Sequence, residues 1–365
     1  MSLSPEKPAS PDAEVPPSLP VPHLVVLHGD RKEPQKTRVN GRHAYLVDAC
    51  WPEFEAYVAA RRRRKDILAV PHATLEDTRW SADGFGTVHA SSLLGLLRAR
   101  ELEEQAHLPG ATLRTHFKYA DLIARSYCFL LGRDVDEVTV AQDLLPALHR
   151  SGVLRGRAVD VLLTRTPLHL MHARLDAAAH RHPLSFLLAA YRADHAEADD
   201  EAMALSQARR IITPHAELAR LFGPRAVRLP WMLPEKPRWR PGDDVALAGA
   251  CDGRHGAYEV RDLARATGLQ VTTLGPPLEY IAFWRGVDVL QKDPGGNWLD
   301  GVGVAVLPAW VCNQPRAALA AVAAGCPVVA SAACGLTGLP HVTEIPTGDE
   351  AALAQAVHAL RAVKR

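Results

Sequence analysis

GVAVLPAWVCNQPRAALAAVAAGCPVVASAACGLTGLP, residues 303–340, is the stretch from which the rest of the chain is best read. GVAVLP is a short apolar run stopped by Pro308, the pattern of a buried parallel strand, and Asn313-Gln314-Pro315-Arg316 after it is a polar turn. A helix should start there: Pro315 suits the first turn and Asn313 or Gln314 sits at or near the cap. The alanine-rich run to Ala324 then stops at Gly325, the residue favoured just past a helix end. Cys326-Pro327 restarts the backbone as a second apolar strand, PVVAS, which opens into a loop holding Gly335 and Gly338. Strand, helix, strand in this order predicts a parallel α/β unit with polar loops at the carboxyl ends of its strands, where open α/β sheets bind ligands.

Arg316 stands out in this unit. It falls in the first turn of the helix, where the macrodipole is positive and a cation is unfavourable by roughly 0.3–1 kcal/mol. One reading supplies a bound phosphate, which suits both free N–H groups and a guanidinium fork. The other folds the side chain back onto solvent or a nearby carboxylate.

A length of 365 residues suits two α/β domains of roughly 150–180 residues each. With 42 basic and 41 acidic residues the net charge is +1, which gives no argument for nucleic acid or an anionic membrane as partner. Six scattered cysteines form no CxxC and no zinc-like spacing, and read as small core residues in a reducing compartment. No apolar run reaches the roughly 18 residues of a membrane span and the start lacks an apolar signal core, so the expected location is the cytoplasm.

Residues 1–22 are rich in Pro, Ser and acids and read as a disordered leader. A first domain is expected over 23–229, a linker with four prolines over 230–244, a second domain over 245–348 and a final helix over 349–365. HLVVLHG (23–29) reads as the first strand, placing His28 and Asp30 at its carboxyl end as candidate catalytic groups for an acceptor, or as an ordinary polar turn. PEFEAYVAARRRRK (52–65) reads as a helix with a solvated basic end, DILAV as the next strand, and 71–89 as a long loop. Helices follow over Ser91 to Gln105 and Lys118 to Leu131. VDVLLTRTPL (159–168) reads as a buried strand with a polar Thr164 to Pro167 loop.

His169 and His172 share a helical face, but no third ligand at suitable spacing accompanies them, so no metal is assigned. PLSFLLAAYRAD (183–194) reads as strand-like, His195 to Arg210 as a helix, and RIITPHAELARLFG as strand, Thr213 cap, helix and Gly223 stop. VALAGA opens the second domain, Gly253 to Gly256 turns into a helix, VTTLG (271–275) is a strand, and 290–301 reads as a glycine-containing loop. Walker, GxGxxG, GxSxG and HExxH motifs are absent from the sequence.

LAAVAAGCPVVAS (319–331), CGLTGLP and PTGDEAAL (346–353) resemble the last domain of GT-B glycosyltransferases of the retaining, sucrose-synthase-like superfamily, in which the motif reads LEAMAAGTPVVAS. Upstream, ALSQARRIITPHAELARLF (204–222) and VALAGACDGRHGAYEVRDLA (245–264) are similar to two further motifs of that family, in the same order. The resemblance implies an α/β protein of two doubly wound, Rossmann-like domains facing a cleft. The second domain would bind a nucleotide-sugar as substrate, with no cofactor and no metal, and the sugar would pass to an acceptor that the sequence does not name. Donor contacts would come from Gly249, Arg254, His255, Gly256, Asn313, Gln314, Arg316 and Gly335.

The chain also departs from that pattern. The family's two donor-site glutamates align near Cys312 and at Ala320, and its pyrophosphate-binding Arg and Lys align with Ala250 and His255. These departures leave open a catalytically silent GT-B relative that serves as a binding or scaffold protein, and a different chemistry such as sugar-nucleotide epimerisation.

Overall fold

The computed structural model describes residues 41–71, 80–105 and 110–362. The strand expected over 23–29, with His28 and Asp30, lies outside them. Within the described residues the first strand is β1 (Arg42–Leu46), and the short elements that follow are α1 (Pro52–Ala59), β2 (Ile67–Val70) and β3 (Thr87–Ala90). Helices α2 (Ser92–Glu104) and α3 (Ala111–Tyr127) lead to β4 (Val135–Ala141), α4 (Leu145–Arg150), β5 (Ala158–Leu162), α5 (Leu168–Arg181), α6 (Phe186–Ala190) and α7 (His195–Gln207). β6 (Arg210–Thr213), α8 (Ala216–Phe222) and β7 (Ala226–Arg228) complete the first sheet, whose order is β3-β2-β1-β4-β5-β6-β7 with every pair parallel.

The second sheet is built from β8 (Arg240–Leu247), α9 (Ala257–Thr267), β9 (Val271–Leu274), β10 (Val289–Lys292), β11 (Asp300–Leu307), α10 (Arg316–Ala324), β12 (Val328–Ser331), β13 (Val342–Ile345) and α11 (Glu350–Ala362). Its order, β10-β9-β8-β11-β12-β13, is again all parallel. Each sheet therefore runs outward from two central strands, β1 beside β4 and β8 beside β11. The direction of winding reverses between them, which opens a crevice at their carboxyl ends.

The stretch 303–340 forms the expected unit. β11 is buried over its last six residues, α10 begins at Arg316, and Gly325 closes it in the left-handed conformation at φ 85°. Several expectations are corrected, among them the loop expected over 71–89, which ends in strand β3 from Thr87. Residues 183–194 are not a strand: Phe186–Ala190 is a helical turn, because Ser185 Oγ caps it by accepting the Leu188 N–H at 3.3 Å and Leu-Leu-Ala-Ala lacks β-branching. The loop expected at 290–301 begins in strand β10 and ends in β11. β8 starts at Arg240, inside the stretch read as linker, and pairs with β11 through two register shifts.

The two halves share buried apolar surface. Trp51 and Phe54 of the first domain lie in one cluster with Ala318, Leu319 and Val322 of α10, and Trp231 stacks on Trp51 with centroids 6.0 Å apart. Trp310 and Val311 are buried together with Leu168, Met171, Leu175 and Leu188. Apolar burial of this kind is the main driving force that holds two sheets in one orientation.

Candidate functional site

Two loops at the crossover point of the second sheet hold most of the residues that the sequence nominates. After β8 the chain turns through Gly249 to Gly256. Asp252 accepts the His255 N–H at 3.0 Å, lies 2.7 Å from His255 Nδ1, and accepts from Arg254 Nη2 at 3.0 Å. Burial opposes the Asp252 charge, but His255 and Arg254 outweigh it and hold this carboxyl well below the usual range. Gly256, at φ 84°, brings the start of α9 so close to Pro308 that a Cβ would lie 2.6 Å from the Pro308 carbonyl oxygen. Only glycine tolerates both constraints. The Arg254 carbonyl accepts the N–H groups of Trp310 at 2.8 Å and Val311 at 3.2 Å, which locks this turn to the loop after β11.

That second loop carries Asn313, Gln314 and Arg316. Gln314 is exposed, whereas Asn313 reaches the first domain, its Oδ1 accepting the Thr166 N–H at 3.0 Å. Arg316 has a partner from the chain itself. Glu53, in the first turn of α1, receives both guanidinium N–H groups at 2.8 and 2.7 Å, and its side chain has no exposed surface. The bidentate pair lies beside the stacked Trp51 and Trp231, whose ring centroids are 5.8 and 5.6 Å from the guanidinium carbon. The anion at this helix start is a carboxylate, the second of the two compensations open to Arg316.

Gly335 also meets the first domain. Its carbonyl accepts from Trp231 Nε1 and from the Ala216 N–H, each at 3.0 Å, and a Cβ here would lie 2.3 Å from the His215 ring. Burial lowers His215 to a pKa of about 4. Arg254 lies 4.0 Å over the Tyr191 ring, and Ser185 Oγ donates to Glu279 at 2.9 Å. The structure thus brings together Gly249, Arg254, His255, Gly256, Asn313, Gln314 and Arg316, with Gly335 at the neighbouring strand end. Of the five polar side chains in this group, Arg254, Asn313 and Arg316 are each met by a group of the facing domain.

On the facing side, the ends of β4 and β5 carry a buried polar network. Arg165 Nη1 is 2.6 Å from Glu201, its Nε donates to Asp143 at 2.9 Å, and Gln142 donates to Glu201 at 2.9 Å. Burial raises the Glu201 carboxyl in spite of Arg165. Near the positions of the family's two glutamates stand Cys312, whose thiol is pushed up by its contact with Cys334 and by burial, and half-buried Ala320.

Sequence reasoning did not find Glu53, Thr166, Tyr191 or Glu279 as partners. Thr166 lies in the polar loop read after β5, and Glu53 is an acid on the face of α1 that buries Phe54, Tyr57 and Val58. His169 and His172 form no shared site: His169 pairs with Asp199 at 3.0 Å, and His172 Nε2 accepts the Ala193 N–H at 3.1 Å.

No family model and no curated protein matches the chain. Solved structures do. Sucrose-phosphate synthase from Thermosynechococcus elongatus superposes with a TM-score of 0.56 at 13% identity, covering 88% of this chain and 90% of that one. A UDP-forming α,α-trehalose-phosphate synthase from Burkholderia xenovorans gives 0.48 at 12% identity, covering 88% and 91%. At these identities the first likeness shows the fold alone, and with the two parallel sheets it establishes a GT-B architecture. No helix among the described residues is long and apolar enough to cross a membrane.

Proposed function

We propose that the protein is a glycosyltransferase-like enzyme that binds a nucleotide-sugar between its two domains and transfers the sugar to an acceptor held by the first, without a metal. The observation that carries this reading is the joining of the loops after β8 and β11 at the crossover point of a parallel sheet, where the Arg254 carbonyl accepts the Trp310 and Val311 N–H groups and Arg316 opens α10. Open α/β sheets bind ligands at such points, and helix N-termini flanked by guanidinium groups favour diphosphates.

In this reading Glu53 occupies the position of the anion, and a donor diphosphate replaces it on Arg316 as the domains part. The same cations then stabilise the charge that builds up on the leaving diphosphate, and such electrostatic stabilisation is usually the largest contribution to catalysis. Asp143 and Arg165 at the ends of β4 and β5, and His28 and Asp30 from sequence alone, are the proposed acceptor contacts.

A second reading, a catalytically silent binding or scaffold protein, is favoured by one observation. Arg316 is paired with Glu53 and Arg254 with Asp252, while Cys312 and Ala320 supply no carboxylate. Turnover of an activated sugar separates the two, since a silent relative binds without turning over, and calorimetry with UDP, GDP, ADP, TDP and their common sugars tests the donor site itself. Micromolar binding of one nucleotide, weakened tenfold or more (about 1.4 kcal/mol) by Arg316→Ala, supports a donor site at α10. Absence of binding at millimolar concentration sinks it and leaves the scaffold reading.

A further inference from the structure

Glu259, in the first turn of α9, is a buried carboxylate whose charge lacks an obligate cation. Its Oε1 accepts from Trp310 Nε1 at 2.7 Å and lies 3.0 Å from His182 Nε2, while its Oε2 is buried without a hydrogen-bond partner. Indole is neutral and imidazole carries charge only when protonated, and a buried carboxylate without compensation is costly. Arg181 is not a hydrogen-bond partner of Glu259: it bonds the Gly348 carbonyl, lies over the Trp310 ring and pairs with Glu350 at 3.6 Å.

Glu350, at the start of α11, completes the cluster. Among the described residues, His182, Glu259 and Glu350 each offer one ligand atom, and these atoms all lie within 4.8 Å of one another. The His182 ring is stacked on Tyr258 at 4.5 Å with an interplanar angle of 13°, which fixes the plane of its nitrogen lone pair. Both carboxylates sit in first turns of helices.

We infer that His182, Glu259 and Glu350 form a divalent-cation site. One imidazole nitrogen and two carboxylate oxygens suit a borderline ion of the Zn2+ type better than Mg2+ or Ca2+, which prefer oxygen alone. His182 ends α5 in the first domain, whereas Glu259 and Glu350 open helices of the second, so the ion ties the domains together on the outer side of the seam. Its role is to hold the two halves in register, with no part in the chemistry of the crevice. Neither composition nor spacing shows such a site, because its ligands are spread over 168 positions and the His182–Glu259 pair alone spans 77.

The test uses tag-free, chelator-treated full-length protein titrated with Zn2+ by calorimetry and with Co2+ by visible absorption. One equivalent should bind, with cobalt bands that show a nitrogen ligand, and the melting temperature should rise with Zn2+. Glu350→Gln, at an exposed position that folding tolerates, should weaken binding by roughly 10–100-fold or more, and His182→Gln should remove the cobalt bands. No binding up to millimolar Zn2+ overturns the site. Equal affinity in both variants also overturns it, because the ion would then lie elsewhere.

Discussion

The ends of β1, β4 and β5 in the first sheet are charged and closed on themselves, whereas the ends of β11 and β12 in the second are small and neutral, and the helix between them takes its counter-charge from across the seam. In the first domain, Arg98 holds Asp48 after β1 through two bonds of 2.7 and 2.6 Å, both residues buried, and Arg165, Asp143, Glu201 and Gln142 form a second network. In the second, Ala309, Cys312 and Cys334 fill the corresponding ends, and Arg316 takes its carboxylate from Glu53, 263 positions away. The first half carries its electrostatics internally. The second acquires part of its electrostatics only when the two meet.

Arg98→Ala tests the internal half of this contrast most severely. It leaves Asp48 buried without its partner and should cost about 3–5 kcal/mol in urea unfolding. A loss below about 1 kcal/mol would mean that the network is wetter than its burial indicates. Acid gives the next largest effect. Burial lowers His43, inside the first sheet, and His215, at the seam, to about 4. A lowered folded pKa gives stability that is complete above the unfolded value near 6.5 and is lost as pH falls from there towards 4. Each histidine should account for about 3 kcal/mol of that loss. Replacing either by Gln should flatten the pH 4–6.5 limb of the stability profile, and an unchanged limb would refute the assignment.

At the seam, Gly335→Ala forces a Cβ against the His215 ring in a left-handed conformation and should cost about 2–3 kcal/mol. A near-neutral result would show that the domains separate at little cost. Glu53→Gln should have the smallest effect, about 1–2 kcal/mol, because Arg316 is a third exposed and water replaces part of what the carboxylate gave. The same variant frees Arg316, so by calorimetry it should bind a nucleoside diphosphate more tightly than the parent. Weaker binding would contradict displacement of Glu53 by phosphate.

Legibility in the sequence followed the same division. β11, α10 and β12 could be read because uniform apolar runs are punctuated by Pro308, Pro315, Gly325 and Pro327, each with a local physical effect. β1 escaped because His43 and Tyr45 interrupt its apolar pattern, and β4 because Asp136 and Glu137 stand at its entrance. Both are central strands, and His43 finds its side-chain partner, Thr139 at 2.8 Å, on the neighbouring strand rather than nearby in sequence. The loops gathering Arg254, His255, Asn313 and Arg316 were legible as strand ends. Glu53 and Tyr191, which meet two of those side chains, were not, because no local pattern encodes a partner in another domain.

The stacked indoles at the seam also give the molecule a built-in optical gauge. Trp51 and Trp231 stack beside the Arg316 guanidinium, and Trp310 is buried with Leu168, Met171 and Leu175 of α5, so three of the seven tryptophans sit where the halves touch. Parting the domains by even a few ångströms moves all three from protein to water. Intrinsic emission should then redden in one step, without any label, and time-resolved emission would report how quickly the crevice opens.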